Sequence, residues 1–171
     1  MHRTKRLIIE PLGPEHAEGL FAALDDPRVG AFIGGPDVTT LEALRERIDR
    51  LLAGPPADWP EDRWLNWVMR RADDPTVIGR LEATTYPDRW AEVAWVLGPA
   101  HWGQGFATEG ARWLLDHLGA DLGIGEIWAA IHPDNAASIR MIERLGFEPR
   151  PTPPARPLGS YDDIDLVFAI G

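Results

Sequence analysis

Apolar residues recur along the chain with two periods, and the alternation between them predicts the elements. From Pro14 to Asp25, Ala17, Leu20, Phe21 and Leu24 return at helical spacing. Leu41, Leu44, Ile48, Leu51 and Leu52 predict a second helix, opened by a Thr39/Glu42 capping box and stopped at Gly54-Pro55-Pro56. Shorter runs predict strands at 6–12, 65–71, 76–85 and 91–98. The turns DDP and YPDR are so short that the last three of these must be antiparallel neighbours. After HWGQG (101–105), Ala107, Ala111, Leu114, Leu115 and Leu118 mark one face of a third helix. A strand follows at 123–132. Asn135 opens a fourth helix, with Ile139, Ile142 and Leu145 inward and Gly146 as its C-cap. RPTPPARPLG (150–159) reads as a loop stiffened by proline, and YDDIDLVFAI (161–170) as a final strand. The order predicts one mixed α/β domain over 1–171, with helices on the faces of a single sheet.

Composition narrows the function without naming it. No apolar run approaches the ~20 residues that span a bilayer. The apolar stretch near the N-terminus stops at Glu10, so no export signal is expected. The chain has no cysteine, which removes disulfides, thiolate metal sites and a cysteine acyl-enzyme, and fits the cytoplasm. A net charge of −10 argues against nucleic acid as a partner and suits a cationic small molecule or basic peptide. His101 and His132 have no metal-ligand spacing, so no metal is expected. No membrane partner is expected either.

The stretch HWGQGFATE gives up side chains just where a helix begins. It is not the dinucleotide fingerprint G-x-G-x-x-G, because Thr108 stands where the third glycine belongs and the loop follows an antiparallel meander. Gly105 and Gly110 have the P-loop spacing, but Ala111 and Arg112 replace its Lys and Ser/Thr. What survives is a glycine loop at a helix start, where the amides of residues 103–108 would converge on an anion. Gly103 and Gly105 have no side chain to hold a pyrophosphate off. Read alone, the loop is equally well ordinary helix punctuation, and Asn135 equally well a plain N-cap.

Two motifs together decide more. WGQGFATEGARWLL resembles the pyrophosphate-binding motif of the GNAT acyltransferase superfamily, and HPDNAASIRMIERLGF resembles its next motif. AEVAWVLGPAHWG looks like the strand that precedes the loop, and the combination looks most like the RimJ/RimL-type branch. Trp102 stands where the superfamily has Arg or Gln, a substitution typical of that branch. The resemblance implies a GNAT fold: a central, mostly antiparallel twisted sheet, splayed between its fourth and fifth strands, with helices on both faces. It implies acetyl-CoA as donor and a primary amine as acceptor, attacking the thioester directly in a ternary complex.

Residue by residue, the resemblance places the thioester beside Trp95, Val96 and Leu97. It places the cofactor phosphates on Gly103, Gln104, Gly105, Phe106, Ala107 and Thr108, with Asn135 and Ser138 completing the cofactor site. Glu92 matches the general base, with Glu82 in reserve. Strand alternation puts Glu92 on a face with Ala94 and Val96, opposite Val93, Trp95 and Leu97. The superfamily's usual acid, a tyrosine, is replaced here by Ile142, and Ser138 matches a serine proposed for that role. The segment 149–157 lacks the glutamate of the RimL pattern. Trp59, Trp64 and Trp90 are candidates for an acceptor pocket, and Arg112, Arg140 and Arg144 for phosphate contacts. The acceptor is then a protein N-terminal amine or a small cationic amine. The alternative is a non-catalytic acyl-CoA-binding sensor or scaffold. A homodimer is compatible with the sequence, which is silent on quaternary state.

Overall fold

The computed structural model describes residues 1–33, 35, 38–59, 61–151 and 164–171. Most of the expected loop 150–159, and Tyr161–Asp163 of the expected final strand, lie outside the described residues. The chain runs β1 (His2–Arg3), β2 (Leu7–Pro11), α1 (Ala17–Leu24), α2 (Leu41–Ala53), β3 (Arg63–Arg71), β4 (Val77–Thr85) and β5 (Trp90–Leu97). It continues through α3 (Phe106–Asp116), β6 (Glu126–Ile131), α4 (Ala136–Arg144), β7 (Glu148–Arg150) and β8 (Leu166–Ile170).

The strands form one eight-stranded sheet in the order β1-β2-β3-β4-β5-β6-β8-β7. All neighbours are antiparallel except β5 and β6, which are parallel. That parallel ladder covers only Trp90↔Glu126, Ala91↔Ile127 and Glu92↔Trp128. Beyond Glu92 the two strands run on without pairing, β5 to Leu97 and β6 to Ile131. The sheet therefore opens between these strands, which are the fourth and fifth of the sequence expectation.

Alternation decides which helices cover which face. On one face Ile9, Met69, Leu81, Val93 and Leu97 pack with Phe106, Ala111 and Leu114 of α3 and Met141 and Ile142 of α4. On the other, Val68, Val77 and Val96 pack with Leu20 and Leu24 of α1 and Leu44 and Ile48 of α2. Val96 and Val93 thus fall on opposite faces, as the two-residue period requires. Burying a Leu or Ile side chain contributes about 1.5–3 kcal/mol, so these two stripes dominate the stability.

Several boundaries differ from the expectation for local reasons. The cap of α2 is Thr40, not Thr39: its extended backbone lets the side-chain oxygen accept from the Ala43 amide at 3.1 Å. Glu42 then falls one position short of where a capping box needs it. Pro14–His16 forms a 3₁₀ turn ahead of α1. Trp64 belongs to β3 rather than to the preceding loop. The short strands β1 and β7 carry no alternating apolar run, and pairing with β2 and β8 alone creates them.

Candidate active site

The glycine loop turns from β5 into α3 with two residues in the left-handed region, Gly103 at φ 71° and Gly105 at φ 81°. A side chain at either would be strained, which is the local reason for both glycines. Gly105 is the N-cap of α3 and offers no side-chain cap. The first backbone bond of this helix runs from the Glu109 amide to the Gly105 carbonyl at 3.1 Å. The amides from Gly103 to Thr108 donate to no described residue. Six unpaired donors at the positive end of a helix dipole form an anion cradle.

The loop is clamped from two sides. The Glu109 carboxylate accepts from the Thr4 hydroxyl at 2.6 Å, the Arg6 amide at 2.7 Å and the Arg6 Nε at 2.7 Å. Arg6 Nη1 also donates to the Gln104 carbonyl at 2.8 Å, and its guanidinium lies 4.7 Å from the centroid of the Phe106 ring. Burial opposes ionisation of Glu109, but the hydrogen bonds from Thr4 and Arg6 outweigh it and hold the carboxyl below its ordinary value. On the other side the Trp102 indole donates to the Leu97 carbonyl at 2.7 Å, tying the loop to the end of β5. Sequence reasoning placed no role on Thr4, Arg6 or Glu109; only the fold brings the N-terminal strand to α3.

A cleft of about 380 Å³ lies against this loop. Trp95, Val96 and Leu97 line it, together with Gly103, Gly105, Phe106, Ala107 and Thr108. Asn135 and Ser138 of the α4 entrance form the opposite wall. The Asn135 side chain accepts from the Ser138 amide at 3.1 Å, so it caps α4 as well as facing the cleft. Gln104 does not line it: its side-chain amide donates to the Ala100 carbonyl at 2.9 Å and braces the loop. Arg144 reaches the cleft, whereas Arg112 and Arg140 do not. His101 is also in the wall, and desolvation, with the nearby Arg71 charge second, lowers its pKa below 6.5. Ile142 is fully buried in the core, so that position presents no acid to the cleft.

Glu92 lies elsewhere on β5, in a separate depression of about 300 Å³ shared with Arg47, Trp64, Asn66, Glu82 and Ala94. It is 4 % exposed, and the Tyr86 hydroxyl donates to its carboxylate at 3.4 Å. Tyr86 in turn stacks on Trp90 at 3.9 Å. The reserve candidate Glu82 is committed to arginines: one carboxylate oxygen accepts from Arg80 Nε at 2.8 Å and Arg47 Nη2 at 3.1 Å. Glu92 and Ser138 therefore do not share a cavity: along β5, Glu92 to Ala94 line the depression and Trp95 to Leu97 line the cleft. Trp59 stands well exposed, apart from both. Among the described residues no cluster of His, Asp and Glu could hold a metal ion.

The model of the acetyltransferase (GNAT) domain matches residues 6–148, most of the chain. The chain belongs to the GNAT acetyltransferase family. Members of this family use acetyl-CoA as donor, and the chain is accordingly an N-acetyltransferase-type enzyme. It is 29 % identical over 147 residues to YoaA, an uncharacterised N-acetyltransferase of Bacillus subtilis (strain 168), covering 85 % of this chain and 81 % of the relative. Among solved structures the fold is similar to a spermidine N-acetyltransferase from Vibrio cholerae determined with CoA and spermine, with a TM-score of 0.72, 18 % identity and coverage of 97 % and 94 %. It is also similar to a V. cholerae protein provisionally named a ribosomal-protein-serine acetyltransferase, with a TM-score of 0.77, 17 % identity and coverage of 98 % and 95 %. At these identities both likenesses show the fold alone.

Within the GNAT frame the cradle is suited to its donor. A row of unpaired amides fits a pyrophosphate, and the opening beyond Glu92 leaves the β5 edge free for the acyl arm. The residues that sequence reasoning missed, namely Tyr86, Arg6 and Glu109, act through side chains brought together from distant parts of the chain. No local pattern announces them.

Proposed function

We propose that this chain, as one domain over 1–171, transfers an acetyl group from acetyl-CoA to a primary amine in a ternary complex. The observation that carries the proposal is the row of unpaired amides from Gly103 to Thr108, facing Asn135 and Ser138 across a cleft at the opening of the sheet. In this reading the amides of Gly103, Gln104, Gly105, Phe106, Ala107 and Thr108 hold the phosphates, and the Gln104 side chain braces their loop. Trp95, Val96 and Leu97 line the acyl arm. When bound, the cofactor supplies an activated thioester carbonyl: a C–N bond to the acceptor forms and the C–S bond breaks.

The chain's own residues manage the protons. Glu92 accepts the proton lost by the amine, directly or through water, from a buried position where Tyr86 orients its carboxylate. In this reading Ser138, which lines the cleft and whose hydroxyl engages no described residue, supplies a proton to the leaving thiolate. The acceptor is a protein N-terminal amine or a small cationic amine. No described helix is long and apolar enough to cross a membrane, and absence of cysteine accords with a cytoplasmic setting.

Calorimetric titration with acetyl-CoA, using NAD and ATP as controls, tests the cradle. The expected result is saturable 1:1 binding of acetyl-CoA alone. Absence of binding at sub-millimolar concentration would return the glycine loop to helix punctuation.

A further inference from the structure

Between the later turns of α3 and the end of α4 lies a space of about 330 Å³ that the proposed chemistry leaves unused. Its floor is apolar: Leu115 of α3, Ile127 of β6, Leu145 just beyond α4 and Ile170 of β8 all belong to the core on this face of the sheet. Three charged side chains, Arg112 and Asp116 of α3 and Arg144 of α4, stand exposed around it. In a chain with 27 acidic residues against 17 basic ones, an arginine has carboxylates to choose from, and Arg6, Arg28, Arg45, Arg70 and Arg71 each hold one. Among the described residues Arg112 and Arg144 hold none, and Asp116 meets no cation. Arg112 and Asp116 lie one helical turn apart, within reach of each other, yet they do not close an ion pair. Two cations and one anion around an apolar floor match the charges and the body of a zwitterion.

We infer that this space is a second ligand site, which takes a free α-amino acid with an apolar side chain and thereby weakens binding in the donor cleft. The carboxylate goes to the two guanidiniums, the ammonium to Asp116 and the side chain to the floor. A space of about 330 Å³ suits a ligand of that size. A fatty carboxylate would leave Asp116 beside it unanswered. A phosphate has no use for the floor, and a polyamine would meet two cations.

Arg144 makes the site regulatory, because it lines both this space and the donor cleft. A carboxylate that engages its guanidinium draws that charge away from the cleft. The coupling rests on the acetyl-transfer reading above, which puts an anionic donor there. By linkage the donor and the amino acid each weaken the other's binding by the same factor.

Calorimetric titration of the full chain tests both the site and the coupling, with leucine as the probe. Leucine is expected to bind 1:1 without acetyl-CoA, and saturating leucine to weaken acetyl-CoA binding about fivefold or more. Two analogues, 4-methylpentanoate and 3-methylbutan-1-amine, lack the ammonium and the carboxylate in turn. Each is expected to bind at least about tenfold more weakly than leucine, and so is glycine, which has no side chain for the floor. Asp116→Asn keeps the shape and removes the charge. It should weaken leucine binding about tenfold and leave acetyl-CoA affinity without leucine unchanged, and Arg112→Gln should do the same. Thermal melting shows whether the variants fold. No leucine binding by the wild type at millimolar concentration overturns the inference, and so does equal binding of leucine and 4-methylpentanoate, whether or not the variants fold. Leucine affinity unaltered in both folded variants overturns it too, and would put leucine in the depression beside Glu92. Weaker acetyl-CoA binding by Arg112→Gln without leucine would assign that guanidinium to the donor and overturn the second site. Leucine binding that leaves acetyl-CoA affinity unchanged overturns the coupling. Failure of acetyl-CoA to bind at all would sink the acetyl-transfer reading and the coupling with it, while the leucine titrations would still decide the site.

Discussion

On the α3 side of the opening in the sheet, the exposed polar groups are backbone amides; around Glu92 they are side chains from three strands and a helix. The amide cradle spans six consecutive residues, and two left-handed glycines at φ 71° and 81° set its shape. The Glu92 depression gathers Arg47 from α2, Trp64 and Asn66 from β3, and Glu82 from β4. A backbone site tolerates almost any side chain outside its glycines. A side-chain site can be retuned one residue at a time. In the proposed reading the first serves the donor and the second the acceptor.

The contrast predicts different failures on the two sides. The largest expected effect is on the proposed acceptor side: Glu92→Gln keeps the shape and removes the proposed base. General-base assistance is worth about 10²–10⁴-fold, so kcat should fall by that order while acetyl-CoA affinity stays unchanged. Loss of affinity with kcat preserved would place Glu92 in the wrong site. Next comes Gly105→Val on the donor side. A β-branched residue at this φ costs about 1–3 kcal/mol, and its Cβ would sit 3.3 Å from Arg6 Nη2. Titration should show acetyl-CoA bound roughly ten- to a hundredfold more weakly. Unaltered affinity would mean that the cradle does not depend on this turn.

A finer test separates shape from charge within the cradle. Glu109 puts a carboxylate one helical turn from amides meant for an anion, and Arg6 offsets it at 2.7 Å. Arg6→Ala leaves that negative charge uncompensated and should weaken acetyl-CoA binding about fivefold to tenfold. Arg6→Ala with Glu109→Ala removes both charges and should recover part of the loss. If the double variant binds no better than the single one, Arg6 serves only to hold the loop's shape.

The sequence made the donor side legible because its signals are local. Gly103, Gly105 and Asn135 each sit at an element boundary whose backbone demands them, and the alternation that put Glu92 with Val96 and against Val93 follows from strand period alone. The Thr40 cap was missed by one residue, because either threonine can supply a side-chain oxygen and only the extended backbone at Thr40 chooses between them. Gln104 divides its two parts: its backbone amide belongs to the row expected from the motif, and its side-chain amide, which the motif left unassigned, donates to the Ala100 carbonyl. The partners of Glu92 were illegible in the sequence. Tyr86 and Trp128 lie six and thirty-six positions away, and only the turn at YPDR and the parallel ladder bring them together.

The smallest expected effect is a pH dependence of stability that belongs to the donor-side clamp. The Glu109 carboxyl is held below its ordinary value of 4.5, against the effect of burial, by Thr4 and Arg6. A carboxylate depressed in the folded state contributes stability above its unfolded pKa and loses it as pH falls through the folded one. Wild-type protein should therefore melt higher than Glu109→Gln at pH 6, and the gap should narrow as pH is lowered below about 4.5. The Arg6 side chain is 42 % exposed, so added salt should shrink the gap at pH 6 as well. A gap that stays constant from pH 6 to pH 3.5 would mean that the charge on Glu109 does not hold the clamp. The cradle would then owe its form to its glycines and to the bonds that Gln104 and Trp102 make to the Ala100 and Leu97 carbonyls.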